Sequence, residues 1–86
     1  MRAYILIEGA AGRAADLVRR VARVRGIHSA ESVTGAYDVI ARAETDSLHD
    51  LGEQVLAGIA AIGGITRTLT CPVPGSATSR DGFGRA

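Results

Sequence analysis

The sequence predicts an α+β domain of ferredoxin-like β-α-β-β-α-β order: a four-stranded antiparallel sheet with two helices on one face, paired with a second copy as a dimeric α+β barrel. Three observations carry this. The hydrophobic period switches twice between strand-like and helical spacing. The two halves match at a constant offset, with Leu17, Val18, Val21, Ala22, Val24, Gly26 and Ile27 corresponding to Val55, Leu56, Ile59, Ala60, Ile62, Gly64 and Ile65. Each half is therefore one β-α-β unit, and right-handed crossovers set both helices on the same side of the sheet. Finally, the first strand is apolar on both alternating faces, which leaves an apolar surface for a second sheet to cover.

Taken in order, Arg2 to Ile7 forms strand one, with Ala3, Ile5 and Ile7 on one face and Tyr4 and Leu6 on the other. From Gly12 to Arg25 the period is helical. Leu17, Val18, Val21 and Val24 make the buried stripe, and Arg13, Asp16, Arg19, Arg20 and Arg23 read as a solvated face. Gly26 stops this helix. Ile27 to Val33 is a polar strand suited to an edge, and Thr34-Gly35 turns the chain into a third, more central strand over 37–43. Thr45 or Asp46 caps the second helix, whose stripe is Leu48, Leu51, Val55, Leu56, Ile59 and Ile62. Gly63-Gly64 closes it. Strand four runs from Ile65 to Cys71, and Pro72 and Pro74 disfavour further pairing. Residues 1–73 are thus one domain and 74–86 a flexible tail.

Composition excludes several function classes. Aromatic residues make up 3% of the chain, too few for a base-stacking platform, and the net charge of +1 gives no broad field for a polyanion. Direct nucleic-acid binding is not expected. One cysteine, Cys71, excludes an internal disulfide or a CxxC metal or redox motif, and it reads as a small residue half-buried on a strand. No apolar run approaches a membrane span or a signal peptide, so a cytoplasmic protein is expected.

Catalytic chemistry is scarce. His28 and His49 lack acidic partners at metal-ligand spacing, and no Ser-His-acid or Cys-His set can be assembled, so neither a metal nor a cofactor is expected. Gly9 to Arg13 lacks the third glycine and the Lys-Ser/Thr of a phosphate loop and reads as a connection. The remaining polar cluster is Thr34, Gly35, Tyr37 and Asp38 with Thr66, Thr68 and Thr70. A glycine turn offers N–H groups to a carboxylate, Asp38 offers charge to an ammonium, and threonine hydroxyls serve either. Those are the two ends of a free amino acid. A plain hairpin is the competing reading, in which case an unpaired Asp38 at the head of an apolar strand needs another explanation.

The order Val33-Thr34-Gly35-x-Tyr37-Asp38-Val39, then an amphipathic helix, then Gly64-Ile65-Thr66-Arg67-Thr68-x-Thr70 resembles the effector-binding (RAM) domain of the Lrp/AsnC family. The similarity spans Arg2 to about Val73. In that family the domain follows a DNA-binding helix-turn-helix, and this chain begins at strand one, so it looks like a stand-alone form. The resemblance implies a non-enzymatic module that binds a small effector, typically an amino acid, at subunit interfaces. It further implies sheet-to-sheet homodimers, often built into rings such as octamers, and possible co-assembly with a full-length regulator. Carried over, Thr34, Gly35, Tyr37 and Asp38 contact the effector and Thr66 and Thr68 line its site. Two alternatives come from other classes: a small dimeric α+β barrel enzyme such as a monooxygenase, and an assembly module without a ligand.

Overall fold

A computed structural model describes residues 1–75, and the greater part of the expected tail lies outside the described residues. The order is β1 (Arg2–Gly9), α1 (Ala14–Ala22), β2 (Ile27–Ser32), β3 (Val39–Glu44), α2 (residues 48–60) and β4 (Ile65–Val73). The strands form one antiparallel sheet in the order β2-β3-β1-β4. This is the predicted ferredoxin-like arrangement, with β2 at an edge and β3 inside.

Register explains the core. Ala3, Ile5 and Ile7 stand opposite Ala43, Ala41 and Val39, and all six are fully buried on the face that the helices cover. Leu17 and Val21 of α1 and Leu51, Val55 and Ile59 of α2 complete the layer. Small Ala41 and Ala43 leave room for the larger helix residues, as dense packing requires.

Within α2 the stretch Leu51–Leu56 takes the wider π turn. In a strict α-helix, residues four apart drift around the axis by about 40° per step. The wider turn takes back part of that drift, so Leu51, Val55 and Ile59 stay in line over the sheet. Leu48, expected in the buried stripe, is 61% exposed because it lies at the first residue of the helix, beyond the sheet's cover.

Several boundaries differ from expectation. Ser47, not Thr45 or Asp46, caps α2: its Oγ accepts the Asp50 N–H at 3.1 Å, while the Thr45 hydroxyl donates to the Ser47 carbonyl at 2.8 Å. β3 begins at Val39, and Tyr37 and Asp38 belong to the preceding loop. β4 continues through Pro72 to Val73, because an edge strand tolerates proline where its missing N–H would face outward. The two faces of β4 follow from its partners. Leu69 stands opposite Leu6 and Cys71 opposite Tyr4 on the open face, whereas Thr68 and Thr70 stand opposite Ile7 and Ile5 on the helix face. Cys71 is exposed, not half-buried.

The open face carries Tyr4, Leu6 and Ile40, half-buried, and Leu69, 47% exposed. No helix among the described residues is long and apolar enough to cross a membrane.

Two predictions follow from this packing. Gly26 has φ +94° and its missing Cβ position lies 2.6 Å from Val55 Cγ2. Gly26→Ala is expected to cost about 1–3 kcal/mol in denaturant unfolding, from backbone strain and displacement of Val55. Asp16 and Glu44 are held below the ordinary carboxylate range, first by hydrogen bonds donated by Arg13 and Arg42, each 2.9 Å. A lowered folded-state pKa gives stabilisation that is present above the unfolded-state value and lost as pH falls through the folded one. The melting temperature is therefore expected to fall progressively below about pH 5, with a shallower decline in Asp16→Asn.

Candidate functional site

Of the polar residues singled out in the sequence, Tyr37, Asp38 and Thr66 lie at the end of the sheet where β1 leaves, β3 enters and β4 begins. The β2–β3 loop is closed by the Val33 N–H donating to the Asp38 carbonyl at 2.9 Å. Thr34 and Gly35 lie at its exposed tip, and Gly35 takes φ +131°, which a side chain disfavours.

Asp38 is anchored twice. Its N–H donates to the Ile7 carbonyl at 2.8 Å, although Val39 is the register partner of Ile7, so regular β1–β3 pairing ends here. Its carboxylate Oδ2 accepts the Gly9 N–H at 2.9 Å. This explains the charge at the head of an apolar strand: one oxygen satisfies a backbone donor where β1 breaks from regular pairing. Gly9 itself admits no side chain, since a Cβ there would lie 2.2 Å from Leu17 Cδ1. The next amide, Ala10 N–H, donates to the Gly64 carbonyl at 2.8 Å. The amides of Gly9 and Ala10 are thus taken by the fold, in keeping with the reading of this segment as a connection.

A β-bulge brings β4 into the cluster. Glu8 stands opposite Arg67 and Gly9 opposite Ile65, leaving Thr66 as the extra residue. Strict alternation sends neighbouring side chains to opposite faces. Here both reach one carboxylate: Thr66 Oγ1 donates to Glu8 Oε1 at 3.0 Å, and Arg67 Nη2 to Glu8 Oε2 at 3.3 Å. The Arg67 guanidinium also lies over the Tyr37 ring, 5.0 Å from its centroid.

The result is a partly exposed group of one cation, two carboxylates, a hydroxyl and an aromatic ring, drawn from β1, the β2–β3 loop and β4. Tyr37, Asp38 and Thr66 meet there. Thr68 faces the helix side, where it lines a groove of about 420 Å³ with Leu56, Ile59, Ile62 and Thr70; Thr66 and Arg67 line the same groove, so it adjoins the cluster. Glu8 and Arg67 are the residues sequence reasoning missed as site members. Arg67 stood inside the quoted Thr66-Arg67-Thr68 run, but only the bulge turns it and Thr66 toward the same partner. Among the described residues no group of three or more His, Cys, Asp or Glu side chains is placed to hold a metal ion.

A model of the Lrp/AsnC ligand binding domain matches residues 2–80. No curated protein matches the sequence. Among solved structures, a protein from Thermus thermophilus superposes with a TM-score of 0.74 at 30% identity, over 80% of this chain and 86% of its own. A hypothetical protein from Pyrococcus horikoshii gives 0.74 at 32%, over 80% and 83%. A transcriptional regulator from Neisseria meningitidis, solved as a complex with L-Met, shares the fold with a TM-score of 0.74 at 17% identity, over 94% of this chain and 54% of its own.

The double anchoring of Asp38 separates its structural from its electrostatic role. Asp38→Ala leaves the Gly9 N–H without its acceptor and is expected to cost about 1–3 kcal/mol in denaturant unfolding. Asp38→Asn keeps an acceptor oxygen and is expected to cost less than half as much.

Proposed function

Because this chain belongs to the Lrp/AsnC ligand binding domain family, we propose that it is a non-enzymatic module that binds a free amino acid at the strand-end cluster. The observation that carries the reading is Arg67 held on the Glu8 carboxylate and over the Tyr37 ring, with Thr66 on the same carboxylate and Asp38 anchored on the adjoining Gly9 N–H. Arg67 suits an α-carboxylate and the two carboxylates suit an α-ammonium, each through charge-assisted hydrogen bonds. Thr34 and Gly35 supply the exposed loop tip that closes over the ligand, and Thr68 contributes from the neighbouring groove. The complex of the Neisseria meningitidis regulator with L-Met supports an amino acid as the ligand class.

Assembly belongs to the same proposal. Residues 1–73 form the binding and oligomerisation domain. The open sheet face, with Tyr4, Leu6, Ile40 and Leu69, packs against the same face of a second copy, because the chain's own helices cover only the other side. Higher rings of such dimers, and mixed assembly with a full-length regulator in the cytoplasm, extend it. The chain spans about half the length of the Neisseria regulator.

Isothermal titration with the twenty amino acids is expected to give heat for at least one at millimolar concentration or below. Arg67→Ala should weaken that binding about tenfold or more, the effect of losing one charge-assisted contact of about 1.5–3 kcal/mol. Its unfolding midpoint should shift little, since the Arg67 side chain is 57% exposed. No heat with any amino acid, in a protein whose mass in solution shows it assembled, would leave the ligand-free assembly module as the surviving reading.

A further inference from the structure

The two helices carry opposite charge on the face turned away from the sheet. Residues 13–25 hold Arg13, Arg19, Arg20, Arg23 and Arg25 against one acid, Asp16. Around the start of α2 stand Asp46, Asp50 and Glu53, with no arginine from 45 to 64. The helices run antiparallel, and the Gly26 position, where a Cβ would touch Thr45 and Val55, sets the segment that follows α1 beside the segment that leads into α2.

Within the chain these charges do not answer one another. Asp16 pairs with Arg13, Arg19 and Arg20 of its own helix. Among the described residues, no ion pair involves Arg23, Arg25, Asp46, Asp50 or Glu53. Beside the acidic group stands Leu48, 61% exposed. On α1, Ala15 and Ala22 are exposed small residues between the arginines, a surface that accepts a projecting leucine.

We propose that the helix layer is a self-complementary docking surface for a second copy of this chain, basic α1 of each copy lying against acidic α2 of the other. A two-fold axis parallel to the helices, midway between facing layers, sets each α1 antiparallel to the other copy's α2 and matches basic end to acidic end. An axis across the helices would set like charges together. The occupant is a second copy rather than a polyanion because the net charge is only +1: the charges are segregated, not in excess. This surface lies opposite the open sheet face and does not depend on it.

The test is a charge swap read by sedimentation velocity. Arg19→Glu with Arg23→Glu, and separately Asp50→Arg with Glu53→Arg, should each weaken helix-layer association at least tenfold and lower the mass at a fixed concentration. An equimolar mixture should recover it, since α1 of one variant then matches α2 of the other in both halves of the interface. Raising salt from about 0.05 to 0.5 M should weaken the wild type, because screening shortens the reach of these charges. Circular dichroism confirms that the variants fold. Masses unchanged in both variants, a mixture that fails to recover, or loss of duplex DNA binding in the Arg19/Arg23 variant with no change of mass would each overturn the proposal.

Discussion

Among the described residues the helices cover only one side of the sheet, and most of the molecule follows from that constraint. One set of alternating residues on β1 and β3, from Ala3 to Ile7 and from Val39 to Ala43, meets the helices and is fully buried. The opposite set has no helix over it among the described residues. A soluble sheet in that position would normally be polar on its bare side, yet Leu6 stands between Ile40 and Leu69 there. The two faces thus differ in kind: one holds the fold together, and the other keeps apolar side chains in reach of solvent.

The site arises where regular pairing stops. β-Bulges at strand ends re-aim side chains and leave backbone donors to be satisfied by other means. Asp38 takes the Gly9 N–H at such a break, and the extra residue of β4 turns Thr66 and Arg67 toward Glu8. Because Gly9 is packed against Leu17, this end of the sheet is tied directly to the core through α1. Charged groups at the rim are thereby held by the rigid layer rather than by the loop alone, which is the support a binding constellation needs.

The helix layer shows how charge follows the fold. Acidic residues near the start of α2 and basic residues near the end of α1 each favour their own helix dipole. Antiparallel packing then lays the two groups side by side. A pattern that stabilises each helix separately becomes, once the helices are packed, a surface that matches a rotated copy of itself.

Much of the fold was legible in the chain. The repeat of helix stripe, stop glycine and strand start, from Leu17 through Ile27 and again from Val55 through Ile65, set the order of elements, because hydrophobic periodicity and glycine stops act locally. The polar run around Tyr37 and Asp38 was likewise visible as an anomaly. Leu48, the cap at Ser47 and the start of β3 were not, since each depends on where the sheet's cover ends or which of several hydroxyls reaches an amide. By itself the sequence determined the β-α-β-β-α-β order, most apolar residues of the core and the polar run around Tyr37 and Asp38. Only the tertiary structure decided that Asp38 holds Gly9, that Glu8 and Arg67 join the cluster and that Thr68 takes the helix face, because those pairings hang on register and on one inserted residue, between positions 29 apart for Asp38 and Gly9 and 58 or 59 apart for Glu8 with Thr66 and Arg67.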